Sequence, residues 1–166
     1  MGFVIIFVST FIHVGDQLVL LSFDHQYLDV HMNVVELLLL FLISIPAILG
    51  IANIMLANNI CDIEDDLENK RYTLPVYIGK DYALILFRWI YYASYLDLIV
   101  LLFLKVNPVI VLLILLTLIP LKKNIAIFMK KQTKEHTFGL AVKNFLITNM
   151  ARVLALGVAV IMDRLI

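Results

Sequence analysis

Asp62 and Asp66 stand four residues apart, with Asn59 three positions and Asn58 four positions before Asp62. If the backbone here is helical, the two acids sit one turn apart on one face and the asparagines share it. Two carboxylates so placed can share a hard divalent cation. Mg²⁺ takes oxygen ligands and is usually held by one or two carboxylates together with phosphate and water. Lys70 and Arg71 follow, within reach of any phosphate that the ion holds. The chemistry suggested is a Mg²⁺-diphosphate site at a membrane surface. An acidic helix end is more often a plain solvated surface, and a bare pair of acids would be read that way.

The stretch from Asn58 to Leu74 is the one place where carboxylates, carboxamides and cations gather, and long apolar runs flank it. Of the 166 residues, 63% are apolar and 16% charged, and the mean hydropathy is +0.99. A soluble domain is about half apolar and a quarter charged, so the composition predicts an all-α polytopic membrane protein. The zero net charge says nothing about partners, because the charges are segregated. A lipid bilayer is expected around the chain, and no nucleic acid among its partners. The single cysteine, Cys61, excludes an intrachain disulfide and a Cys-based zinc site. The start, Met1-Gly2-Phe3-Val4, lacks a basic n-region. It begins inside an apolar run, which suggests an N-terminal truncation.

A spanning helix needs about 20 mostly apolar residues. Five such spans are predicted, over about 1–23, 34–57, 82–104, 109–129 and 139–162, in one membrane domain covering 1–166. A kink is expected near Pro46, and Lys122 and Lys123 are expected to snorkel to the interface. The loops after the second and fourth spans carry Lys70, Arg71 and Lys80, and Lys130, Lys131 and Lys134. The other loops carry one lysine between them, Lys105. Five spans put the two basic loops on one side, and the positive-inside rule makes that side cytoplasmic. A multi-pass protein of the cell membrane, with the acidic cluster facing the cytoplasm, follows.

The run Asn58-Asn59-x-x-Asp62-x-x-x-Asp66, with Lys70-Arg71-x-Thr73-Leu74-x-Val76-x-Ile78-Gly79 after it, resembles the second aspartate-rich motif of the UbiA superfamily of intramembrane prenyltransferases. It is most similar to the 1,4-dihydroxy-2-naphthoate polyprenyltransferases of menaquinone synthesis, whose version reads approximately NNxRDxxxDxxxGKxTLxVxLG. Cys61 stands where that pattern has Arg, and Lys70 where it has Gly. Arg71 then takes the Lys position, and Tyr72 follows it.

The resemblance covers essentially the whole chain but only the C-terminal half of a nine-helix bundle. The first aspartate-rich motif has no counterpart, since no other Asn/Asp cluster precedes Asn58. It implies that Asp62 and Asp66 are catalytic Mg²⁺ ligands, and that Asn58, Asn59, Lys70 and Arg71 bind substrate. Arg71 is the better diphosphate contact. Donor and acceptor would be a polyprenyl diphosphate and dihydroxynaphthoate. Metal and cations would stabilise the leaving diphosphate, while an apolar cavity shields the allylic cation. A missing N-terminal half would be a partner, and the isolated chain would be inactive. Alternatives are another aromatic acceptor such as 4-hydroxybenzoate, or a non-catalytic membrane subunit or transporter fragment.

Asp97 and Arg152 fall mid-span at similar depth, where an ionisable group is expensive and a functional candidate. They are predicted to pair, with a stabilising and a catalytic role both open. Tyr91, Tyr92 and Tyr95 could offer π-faces to the allylic cation, although helix packing and interface anchoring explain them more simply. Asp16-Gln17 could line the cavity or end a helix. His13, His25, His31 and His136 lack metal-ligand spacing. The basic stretch Lys122 to Lys134 reads as a topology signal, with attraction to anionic lipid secondary.

Overall fold

The computed structural model describes residues 4–10, 12, 19–24 and 27–165. Asn33 opens helix α1 (Val34–Cys61), its side-chain oxygen accepting the Glu36 N–H at 3.2 Å and so satisfying a donor that the first turn leaves unpaired. Short helices α2 (Ile63–Glu68) and α3 (Leu74–Ile78) follow. Then come α4 (Lys80–Ala93), α5 (Asp97–Phe103), α6 (Pro108–Leu115), α7 (Leu118–Lys130) and α8 (Phe138–Leu165). Asn107 caps α6 by accepting the Val109 N–H at 2.9 Å, just ahead of Pro108 at the first helical position.

Among the described residues, four helical stretches are long and apolar enough to cross a membrane: Val34–Cys61, Lys80–Phe103, Pro108–Lys130 and Phe138–Met162. The protein is an all-α membrane protein. The expected first span, 1–23, is not one helix throughout. Residues 4–10 are helical, but Val19–Asp24 forms strand β1, paired antiparallel with β2 (Tyr27–Met32). Ser22, Asp24, Asp29 and His31 interrupt the apolar run, Val19, Phe23, Tyr27 and Val30 favour extended backbone, and the two-strand ladder satisfies the backbone groups between the strands. His13, Asp16, Gln17 and His25 lie outside the described residues.

Helix α1 is the hub, in contact with α4, α5 and α8. It runs on through Pro46, and Gly50 lets α8 approach closely. A Cβ at Gly50 would stand 2.6 Å from Phe145 Cδ2, the kind of contact that small residues permit between membrane helices. The core between α1, α4 and α7 is built on Ile60, Phe87, Tyr91 and Phe128. Phe87 packs edge-on to Tyr91 with ring centroids 5.0 Å apart, and 4.5 Å from Phe128. A second cluster of Leu98, Leu101, Val111 and Ile114 joins α5 to α6.

Two of the long stretches are broken in mid-span. Between α4 and α5 the N–H groups of Tyr95, Leu96, Leu98 and Ile99 bond three residues back, to Tyr92, Ala93, Tyr95 and Leu96. Between α6 and α7, Thr117 and Ile119 do the same to Ile114 and Leu116. Such 3₁₀ turns tighten the helix and free carbonyls that an α-helix would use. The breaks face one another, with the Tyr95 hydroxyl 2.7 Å from Thr117 Oγ1.

Candidate functional site

Helix α1 stops at Cys61, but the backbone barely departs from helix at Asp62 (φ −102°, ψ 9°). The Asp62 N–H donates to Asn58 O at 3.1 Å and the Asp66 N–H to Asp62 O at 2.7 Å, so the i, i+4 ladder survives the joint. Asp62 and Asp66 therefore stack on one face. Of the five acids between Asp62 and Glu68, Glu64, Asp65 and Glu68 are exposed, whereas Asp66 is buried and Asp62 is half-buried. Asn58 Nδ2 donates to Asp62 Oδ2 at 3.2 Å, and the Thr73 hydroxyl donates to Asp66 Oδ2 at 3.0 Å. Asn59 lies beside this face, partly exposed.

Thr73 reaches Asp66 because the chain reverses sharply after α2. The Lys70 N–H donates to Leu67 O at 3.2 Å and the Arg71 N–H to Asp66 O at 2.7 Å. This is a Schellman closure, with Lys70 at φ +56° in the position that glycine favours. A lysine there carries the left-handed penalty of about 1–2 kcal/mol, which explains physically why glycine suits this point of the motif. Lys70→Gly is accordingly expected to stabilise the protein by about 1 kcal/mol, read as a raised unfolding midpoint in detergent. A lowered midpoint would contradict the strain assigned to Lys70. Lys70 and Arg71 are exposed and free of ion pairs among the described residues.

Lys134 lies in the basic stretch that reads as a topology signal, and spacing does not show the contact it makes. Its Nζ lies 2.7 Å from Asp62 Oδ2, which brings the connection after α7 against the joint between α1 and α2. The hydrogen bond to Asp62 holds the Lys134 ammonium above the usual lysine range, with the Asp62 and Asp65 charges adding to it. The contribution of this contact is therefore complete below the ordinary lysine pKa and is lost as pH rises through the raised one. The only sequence signal was a cation in a loop on the same side as the acids.

Deeper in the bundle the expected pairing of Asp97 and Arg152 is present. Arg152 Nε donates to Asp97 Oδ2 at 2.7 Å and Nη2 to Oδ1 at 2.9 Å, a bidentate arrangement. Nη2 also donates to the Ser94 carbonyl, freed by the mid-span break, and Nη1 to the Thr148 carbonyl, each at 2.9 Å. The guanidinium lies 4.8 Å from the centre of the Tyr95 ring. The π-face of Tyr95 is thus already occupied by an internal cation. Tyr91 is buried, its hydroxyl donating to Ala141 O at 3.2 Å, and Tyr92 packs against Trp89. The geometry of all three rings is that of helix packing.

Among the described residues no group of three or more His, Cys, Asp or Glu side chains converges as a metal cage. The two carboxylates shielded from water, one bonded by a carboxamide and one by a hydroxyl, offer oxygen donors only. That set fits a hard cation shared with phosphate and water rather than one enclosed by protein. No curated protein and no solved structure matches the chain. The sequence does match the UbiA prenyltransferase family over residues 1–149, a stretch that includes the Asp62–Asp66 face, its Thr73 and Asn58 partners, Lys134, the first three membrane-length helices and the first part of α8. The chain belongs to the UbiA prenyltransferase family.

Proposed function

We propose that this chain forms the donor-diphosphate end of a Mg²⁺-dependent aromatic polyprenyltransferase, with 1,4-dihydroxy-2-naphthoate as acceptor in menaquinone synthesis. The observation that carries the reading is the sorting of the acids. Only Asp62 and Asp66 turn inward, each held by a neighbouring side chain, while the other three face water. The acceptor rests on the motif from Asn58 to Gly79 and its likeness to the dihydroxynaphthoate branch.

In this reading Asp62 and Asp66 would hold the ion, Asn58 and Thr73 fix the two carboxylates, and Arg71 and Lys70 would reach the diphosphate from the adjoining turn. Mg²⁺, when bound, neutralises charge on the diphosphate as the allylic C–O bond breaks. The apolar interior keeps water from the allylic cation until the electron-rich ring takes it. Carbon dioxide leaves the ring as the prenyl group enters. The cluster faces the cytoplasm of a cell-membrane protein, by the loop charges. One pair of acids is one half of the donor set, and the other half belongs to a polypeptide segment that these 166 residues do not contain.

The coding sequence immediately upstream is therefore expected to encode four further spans and an Asn/Asp-rich loop. Membranes holding both parts, given a polyprenyl diphosphate, Mg²⁺ and dihydroxynaphthoate, are expected to yield a prenylated naphthalene product by mass spectrometry. Membranes holding this chain alone are expected to yield none. Product with 4-hydroxybenzoate instead would move the acceptor. No product with any aromatic acceptor from the combined membranes would leave a non-catalytic membrane subunit.

A further inference from the structure

Lys134 belongs to a connection whose backbone is tied down on both sides of it. Before it, Gln132 Nε2 donates to the Phe128 and Met129 carbonyls at 2.6 and 2.9 Å, closing the end of α7. Around it, the Thr133 N–H donates to Thr137 Oγ1 at 2.8 Å, and that hydroxyl donates back to Thr133 O at 3.1 Å. The Thr137 and Phe138 N–H groups both reach Thr133 O at 3.0 Å. The mount is fixed, but the lysine side chain on it is 55% exposed and its four-carbon stem can turn freely.

The ammonium rests on Asp62 Oδ2, the same oxygen that accepts from Asn58. A divalent cation on that carboxylate and an ammonium 2.7 Å from it exclude one another, since like charges at such separations repel and the ion carries two. An exposed ion pair shifts an equilibrium by a factor of about five at most, so the exchange is easy. A released Lys134 remains tethered beside the site, while a diphosphate arriving with the ion brings the negative charge that the ammonium has lost.

We propose that Lys134 is a positioning cation with two stations: it neutralises Asp62 while the carboxylate lacks a divalent ion, and it moves to the donor diphosphate when Asp62 takes that ion. The proposal rests on the reading of Asp62 as a metal ligand. It makes Lys134 both a competitor of the bare ion and a helper of the ion–diphosphate complex, and because both effects act through contact they persist at an ionic strength that screens a distant surface charge.

The test is Mn²⁺ binding to the full chain in lipid nanodiscs, followed by electron paramagnetic resonance with and without inorganic pyrophosphate. Lys134→Gln is expected to bind Mn²⁺ alone about two- to fivefold more tightly and to retain pyrophosphate on the Mn²⁺-loaded protein more weakly by a similar factor. Lys134→Arg should stay near wild type in both titrations, and Asp62→Asn should lose Mn²⁺. If Lys134→Gln changes only one titration or neither, while Asp62→Asn still loses Mn²⁺, the two-station role is overturned and the metal site stands. If Asp62→Asn and wild type behave alike, the metal-ligand reading falls and takes this proposal with it.

Discussion

Arg152→Ala and Asp97→Ala are each expected to destabilise the protein by about 3–5 kcal/mol, because removing one partner of a buried ion pair leaves the other charge uncompensated. The side chains of Arg152 and Asp97 are 7% and 3% exposed, so water cannot take over the lost contacts. Arg152→Ala also strands one backbone carbonyl, because Ser94 O lost its helical donor to the 3₁₀ turn and depends on Nη2. Thr148 O loses the bond from Nη1 but stays within helix α8. One guanidinium thus bridges α8 to the broken joint of α4 and α5, and through Tyr95 and Thr117 to the break before α7. The double variant Asp97→Leu with Arg152→Met removes both charges and refills the volume. It is expected to recover most of the loss, as replacement of buried pairs by apolar residues often does. Unfolding midpoints in detergent, taken around the complete double-mutant cycle, measure the coupling. Single variants within about 1 kcal/mol of wild type would show that the pair does not hold the joint.

In the complete enzyme, Asp62→Asn and Asp66→Asn are expected to lower prenyl transfer by about two to three orders of magnitude, the scale seen when one preorganised electrostatic group is removed. Both substitutions keep side-chain volume and a hydrogen-bond acceptor, so Asn58 and Thr73 retain a partner. What disappears is the negative charge that attracts the ion. The fall should appear in kcat as well as in KM, because the charge serves the departing diphosphate and not only the bound donor. Raised Mg²⁺ should rescue Asp62→Asn in part if its remaining oxygen still ligates. Unchanged turnover in both variants at limiting Mg²⁺ would remove Asp62 and Asp66 from the mechanism.

The reading from sequence went furthest where physics is local. The apolar runs are set by composition alone, and helices Val34–Cys61 and Phe138–Leu165 follow them. The pairing of Asp97 with Arg152 was legible because an ionisable group in mid-span demands a partner, and two such groups at one depth leave little choice. The pairing of strands Val19–Asp24 and Tyr27–Met32 was not legible. A short apolar run can become helix or strand, and periodicity alone does not separate them. Nor did spacing show the turn at Lys70, where a departure from glycine was visible but its positive φ was not.

Residue order by itself determined that this is a membrane protein, that Asp62 and Asp66 share a helical face, and which family pattern that face carries. Each rests on composition or on neighbours within a turn or two. The tertiary structure alone decided which acids turn inward, that the Ser94 carbonyl meets Arg152, and that Lys134 rather than Lys70 or Arg71 lies on Asp62. The last two join segments far apart in the chain, and they exist because helix packing sets α8 against the joint of α4 and α5 and the connection after α7 against the joint of α1 and α2.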